Sequence, residues 1–129
     1  MAITVLLIDD KEVIRTSVRL LLDSDPGIDI VGEGVTFQQT VQSAMDLKPQ
    51  VVIMDLHMPD NSTLNPQEFK LLLETLGSRL IAMSFWNDQD TQELAASLGA
   101  VTLLDKMRLS TELLPAIKSA TMEKTSASA

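Results

Sequence analysis

The chain has 129 residues, no cysteine and 45% hydrophobic residues, with a formal net charge of −8 and a pI of about 4.4. This length fits one domain with a core of its own, and the missing cysteines exclude disulfides and thiolate metal sites within it. The acidic balance opposes direct binding to nucleic acid, because phosphates attract Lys and Arg. The apolar start ends at Asp9, too early for a signal sequence or membrane span, so we expect a cytoplasmic protein without membrane contacts.

Short apolar runs alternate with amphipathic segments along the chain. Because the runs are almost continuously apolar, they predict strands of a sheet that is covered on both faces. The predicted strands are residues 3–8, 28–31, 51–54, 80–83 and 101–104.

Apolar residues recur at helical spacing in the segment after each predicted strand. The five sets are Ile14, Val18, Leu21 and Leu22; Phe37, Val41, Ala44 and Met45; Phe69, Leu72, Leu73 and Leu76; Leu94, Ala95 and Leu98; and Leu113, Leu114 and Ile117. Turn residues separate them: Asp25-Pro26-Gly27 and Lys48-Pro49 end the first two helices, Pro66 opens the third and Gly99 caps the fourth.

Five βα units in succession predict an α/β fold, a doubly wound five-stranded parallel sheet of the flavodoxin-like type. Right-handed crossovers with helices on both faces favour the strand order 2-1-3-4-5. We expect this domain to occupy residues 1–121. Residues 122–129 are rich in Ser, Ala and Thr without apolar periodicity, and they predict a flexible tail or the start of a linker.

Polar side chains stand at the carboxyl ends of four predicted strands: Asp9 and Asp10 after the first, Asp55 after the third, Ser84 after the fourth and Lys106 after the fifth. The carboxyl ends of parallel strands share one edge of the sheet, where ligands of open α/β folds bind. The first and third strands are neighbours at about 4.8 Å in this order, which brings the three carboxylates within a few ångströms. The sequence therefore predicts one site.

The electrostatic repulsion among three crowded carboxylates is relieved by raised pKa values or by a bound cation. Oxygen ligands with room for water favour Mg²⁺ as that cation. Asp55, alone on a central strand, is the expected nucleophile toward phosphorus, whereas Asp9 and Asp10 are better placed as metal anchors. A long lysine can largely close the gap of about 10 Å from the fifth strand, so Lys106 can pair with Asp55 or with a phosphoryl group. The Ser84 hydroxyl can donate to a phosphoryl oxygen.

Each feature also has an ordinary explanation when it is taken alone. An Asp-Asp pair before a helix is a common N-cap, a lysine after a strand is usually solvated, and a serine there is usually a turn residue. The functional interpretation rests on their coincidence, since four strand ends present the residue types that one phosphoryl site requires.

The chain resembles the receiver domain of two-component response regulators over about residues 3–121. The motifs that carry the resemblance are Asp9-Asp10, Asp55-Leu56-His57-Met58-Pro59, Met83-Ser84, and Gly99-Ala100-Val101-Thr102-Leu103-Leu104-Asp105-Lys106. The stretch from Gly27 to Glu33 also resembles receivers with a LuxR-type helix-turn-helix output, which suggests transcription regulation within a longer protein.

The resemblance implies that Asp55 accepts a phosphoryl group from a histidine kinase or phosphotransfer protein. It further implies that Asp10, Asp55 and the backbone carbonyl of His57 ligate Mg²⁺, and that Asp9 holds a metal-bound water. Ser84 and Lys106 are expected to bind the phosphoryl oxygens.

The added charge would then reshape the face of the last two helices, for dimerisation or control of an output. We therefore expect a signalling switch rather than a metabolic enzyme, although it can catalyse its own phosphorylation and dephosphorylation.

Three residues depart from the usual receiver pattern. Leu103 stands where a Tyr or Phe is usual, Phe85 stands where a small residue is common, and Trp86 follows it. These departures leave open an atypical receiver that binds partners without phosphorylation. We expect His57 to be an exposed loop histidine that contributes its carbonyl, with an influence on phosphoryl hydrolysis as the alternative.

Two enzyme or ligand-binding alternatives fit the sequence less well. A Mg²⁺-dependent phosphatase with an aspartyl nucleophile has its second Asp two positions later, whereas Asp9 and Asp10 are adjacent, and the chain has no cap domain. A nucleotide-binding fold would need a glycine-rich turn where Asp9-Asp10-Lys11-Glu12 stands.

Overall fold

The computed structural model describes residues 2–128, in which strands and helices alternate regularly. The strands are β1 (Ile3–Ile8), β2 (Ile28–Gly34), β3 (Val51–Asp55), β4 (Arg79–Ser84) and β5 (Ala100–Asp105). The helices are α1 (Glu12–Asp23), α2 (Phe37–Leu47), α3 (Pro66–Leu76), α4 (Gln89–Ser97) and α5 (Leu109–Ser128). Two short 3₁₀ turns, Asn61–Thr63 and Lys106–Arg108, precede α3 and α5.

The five strands form one parallel sheet in the order β2-β1-β3-β4-β5, which confirms the predicted fold. Alternate side chains of the central strands enter two apolar cores. Leu6 and Val52 pack with α2, α3 and α4 on one face, and Val5 and Ile53 pack with α1 and α5 on the other. The continuous apolar runs seen in the sequence follow from burial on both faces.

Local capping interactions set the helix ends. The Asn65 side chain accepts a hydrogen bond from the Glu68 amide, and Pro66 opens α3 as predicted. At the C-terminal end of α2, Lys48 adopts the left-handed conformation with φ of 46° before Pro49. Gly99 follows α4 with φ of 79°, a conformation that disfavours a side chain.

One strand boundary differs from the sequence prediction. β2 continues three residues past the predicted end to Gly34, because residues 32–34 pair with Leu6, Leu7 and Ile8. α5 runs to Ser128, and Ala129 lies outside the described residues. The flexible tail or start of a linker expected over residues 122–129 stays a prediction. The domain limit at residue 121 stays a prediction.

Candidate functional site

The polar residues predicted to form one site do lie together at the carboxyl edge of the sheet. Asp55 and Ser84 are the last residues of β3 and β4, and Lys106 opens the turn after β5. Asp9 and Asp10 follow β1, the neighbour of β3. All of them except Asp10 are buried. The parallel register, rather than sequence proximity, brings these side chains to one place.

Lys106 contacts two carboxylates at once. Its Nζ atom lies 2.6 Å from Asp9 Oδ2 and 3.1 Å from Asp55 Oδ1, and all three side chains are at most 1% exposed. The sequence predicted pairing with Asp55, whereas the contact with Asp9 was not expected. Because all three groups are buried, water does not screen either ion pair. The single ammonium is shared by two carboxylates, so one negative charge stays uncompensated.

The carboxylates of Asp9, Asp10 and Asp55 offer oxygens that all lie within 4.8 Å of one another. Burial raises the pKa of Asp9 and outweighs the hydrogen bonds from Lys106 and the Lys11 amide. Burial also acts to raise the pKa of Asp10, but the charge of the Lys11 ammonium and its hydrogen bond at 3.4 Å contribute to a net lowering. The cluster therefore concentrates negative charge, as the sequence predicted.

This cluster fits a hard divalent cation. Asp55 Oδ2 is buried and makes no hydrogen bond with the described residues, although a buried polar atom normally has a partner. The other Asp55 oxygen accepts the His57 amide at 3.3 Å. Oxygen donors at this spacing, with the exposed Asp10 on the solvent side, suit a hard cation better than a softer metal.

The His57 side chain is half-buried, and the expectation of an exposed loop histidine is wrong. Its Nε2 atom lies 3.1 Å from Ser84 Oγ, and its ring meets the Trp86 ring edge-on with centroids 4.7 Å apart. Ser84 Oγ also accepts the Trp86 amide at 2.9 Å. The Ser84 hydroxyl is therefore held from two sides, an arrangement that no local sequence pattern indicates because 27 residues separate His57 from Ser84.

The two large aromatic residues after β4 lie next to the site. The Lys106 ammonium stands 5.1 Å from the centre of the Phe85 ring, and the Phe85 and Trp86 rings meet edge-on at 6.5 Å. Both rings remain partly exposed to solvent. Leu103 is half-buried and packs against the core on the α2, α3 and α4 face. The three departures noted in the sequence thus all lie close to the site or its supporting core.

Arg15 is a supporting residue that the sequence analysis missed. Its Nη1 atom donates to the backbone carbonyl of Asp9 at 2.6 Å, and its Nε atom lies 3.6 Å from Glu33. The guanidinium of α1 thereby fixes the turn that carries the acidic pair. An arginine in the first turn of the helix that follows Asp9-Asp10 was the signal in the sequence that could have suggested it.

A comparison with protein families matches residues 5–118 to the response regulator receiver domain. The nitrate/nitrite response regulator protein NarL of Escherichia coli K12 is 33% identical over 117 residues, covering 91% of this chain and 54% of NarL. The transcriptional regulatory protein LiaR of Bacillus subtilis 168 is 30% identical over 118 residues, covering 92% of this chain and 56% of LiaR. The chain thus spans about half the length of these relatives.

Among solved structures, the response regulator domain of Thermotoga maritima CheB superposes with a TM-score of 0.78 at 29% identity, covering 93% of this chain and 96% of that one. No helix within residues 2–128 is long and apolar enough to cross a membrane. The fold, the acidic cluster with its lysine, and the family match together show that the chain belongs to the response regulator receiver domains of two-component signalling.

Proposed function

We propose that this receiver takes a phosphoryl group from a histidine kinase or phosphotransfer protein onto Asp55 in a Mg²⁺-dependent reaction. The observation that carries the proposal is the environment of the Asp55 carboxylate. One oxygen is held by Lys106 at 3.1 Å and by the His57 amide, whereas Oδ2 is buried without a donor. The oxygen that makes no hydrogen bond keeps its lone pairs for attack on phosphorus.

In the proposed step, Asp55 Oδ2 forms a bond to the phosphorus of a phosphohistidine while the nitrogen–phosphorus bond breaks. The imidazole nitrogen keeps that electron pair and takes up a proton from solvent. Lys106 neutralises negative charge that develops on the transferred group, and the Ser84 hydroxyl donates to one of its oxygens. Hydrolysis of the resulting acyl phosphate by water resets the protein, so the chain acts as its own phosphatase rather than as a metabolic enzyme.

The residues proposed to hold Mg²⁺ are Asp10, Asp55 and the backbone carbonyl of His57, with Asp9 on a metal-bound water. When bound, Mg²⁺ would neutralise charge on the phosphoryl oxygens and on the carboxylates. The mutual distance of the acidic oxygens and the uncompensated charge at Asp9 and Asp55 support this assignment.

We further propose that phosphorylation changes the face of the last two helices, α4 and α5, and that this face drives dimerisation or an output. Ser84 and Lys106 lie at the ends of β4 and β5, so a group that draws them inward moves the connections to α4 and α5. Because LiaR is a transcriptional regulatory protein and this chain matches about half of it, we propose a role in transcription regulation, in the cytoplasm and as part of a longer protein.

Labelling with acetyl phosphate and Mg²⁺, read by intact-protein mass spectrometry, tests the proposal. We expect one phosphoryl group on the wild type and on Asp46→Asn, which changes an exposed aspartate of α2. Asp55→Asn, or chelation of the metal, should abolish labelling. A labelled Asp55→Asn protein would place the acceptor elsewhere and refute the assignment.

A second candidate function is a receiver that binds its partner without phosphorylation. It is favoured by the aromatic side chains beside the site, since Phe85 lies against Lys106 and Trp86 against His57. Partner affinity measured with and without beryllofluoride separates the two functions. Equal affinities would support the second candidate, and a change of tenfold or so, about 1.4 kcal/mol, would support the first.

A further inference from the structure

One carboxylate of the loop that follows β3 binds the start of α2. Asp60 Oδ1 accepts the Phe37 amide at 2.9 Å, and Asp60 Oδ2 accepts the Gln38 amide at 3.0 Å. These are first-turn amides of α2, which have no partner within the helix. The side chain of Thr36, the cap residue of α2, accepts the amide of Gln39. Asp60 therefore completes the capping of α2 across 22 to 23 residues of sequence.

The same loop is also held closer to the site. The His57 amide donates to Asp55 Oδ1, and the Met58 side chain is buried in the core on the α2, α3 and α4 face. Pro59 is exposed, as are residues 61–63, so they supply little packing. Asp60 is thus the residue whose side chain joins this part of the loop to α2, while Leu64 further along packs against the same core.

We propose that Asp60 is a positioning residue for the phosphoacceptor site. By binding the start of α2, Asp60 keeps the backbone from His57 to Pro59 in place. This position lets the His57 carbonyl act as a metal ligand and lets the His57 ring share a hydrogen bond with Ser84. This inference rests on the proposed function, because it concerns the geometry of the proposed magnesium site.

Two physical reasons make the interaction of Asp60 with α2 strong, although the Asp60 side chain is partly exposed. Hydrogen bonds from amides to an ionised carboxylate are stronger than those between neutral groups, and here there are two on one side chain. The negative charge also lies at the positive end of the α2 dipole. The hydrogen bonds that Asn61 and Thr63 donate run to the backbone of Met58 and Asp60 within the loop, so they do not attach the loop to another element.

The test compares three variants of the full chain. Asp60→Ala removes both bonds to α2, Asp60→Asn keeps one acceptor oxygen, and Thr36→Ala removes a cap from the same helix without touching the loop. Mg²⁺ affinity is followed by titration calorimetry and by the fluorescence of Trp86, which adjoins His57. Hydrogen exchange of the peptide covering residues 56–63 is measured without metal.

We expect Asp60→Ala to weaken Mg²⁺ binding by about tenfold, the usual effect of removing a group that orients a metal ligand. Asp60→Asn should recover part of this loss, and Thr36→Ala should bind Mg²⁺ as the wild type does. Exchange in residues 56–63 should accelerate in Asp60→Ala and stay unchanged in Thr36→Ala. If Asp60→Ala does not fold, the comparison of Asp60→Asn with Thr36→Ala decides in the same way.

The outcomes separate this inference from the proposed function. Suppose that the wild type takes up Mg²⁺ and that the Asp60 variants match Thr36→Ala in Mg²⁺ affinity and in exchange rate. This result would overturn the role of Asp60 and leave the proposed function intact. Wild-type protein without Mg²⁺ uptake would refute the proposed function. In that case, unchanged metal-free exchange in Asp60→Ala would refute the inference too.

Discussion

Replacing Lys106 with methionine should destabilise the metal-free protein strongly. The substitution keeps an unbranched side chain of similar length but removes the ammonium that lies 2.6 Å from Asp9 and 3.1 Å from Asp55. Both carboxylates are then left buried, at most 1% exposed, without a counter-ion. Breaking a buried ion pair by removing one partner costs about 3–5 kcal/mol.

We expect the lower end of that range, about 3 kcal/mol, because one carboxyl group can take up a proton and escape part of the repulsion. For a domain of this size the loss corresponds to a fall in Tm of about 10 °C. Lys11→Met is the matched control. Lys11 makes an exposed ion pair with Asp10 at 3.4 Å, which contributes less than about 1 kcal/mol.

Urea unfolding in the presence of a chelator, followed by circular dichroism, measures both variants against the wild type. Added Mg²⁺ should reduce the deficit of Lys106→Met, since a divalent cation supplies the missing positive charge. A Lys106→Met protein whose unfolding free energy lies within about 0.5 kcal/mol of the Lys11→Met value would refute the reasoning, because it would mean that water screens these carboxylates.

Two further expectations concern the rest of the domain. A hydrogen bond from Lys118 lowers the pKa of Asp25, so its contribution to stability is present above about pH 4 and is lost as the pH falls through the folded-state value. The difference in urea midpoint between the wild type and Asp25→Asn should therefore shrink from pH 6 to pH 3, and a constant difference would contradict this account. Gly99→Ala should lower the unfolding free energy by about 1 kcal/mol, because Gly99 has φ of 79° and a Cβ there would lie 2.8 Å from Lys70 Cγ. A Gly99→Ala protein with the wild-type Tm would show that the loop relaxes without cost.

The fold was predictable because its signals are local and repeated. Five apolar runs, each followed by a helical period, leave few arrangements once both faces of the sheet must be covered. The end of β2 was not predictable in this way, since Gly32, Glu33 and Gly34 are poor strand formers and are held by pairing with β1. Tertiary pairing overrode local propensity there.

The candidate site was predictable at the level of which residues meet. Strand ends carry Asp55 and Ser84 to one edge whatever the side-chain conformations are. The individual contacts were not predictable, because they depend on rotamers and on loop paths. The Lys106 contact with Asp9, the His57 contact with Ser84 and the capping of α2 by Asp60 each join residues more than 20 positions apart.

The shared ammonium at the carboxyl edge has a consequence for how fast the domain can respond. The Lys106 ammonium is already buried between Asp9 and Asp55, away from water. A phosphoryl group transferred to Asp55 would therefore meet a counter-ion that is already desolvated. Little rearrangement of solvent would then accompany the arrival of charge.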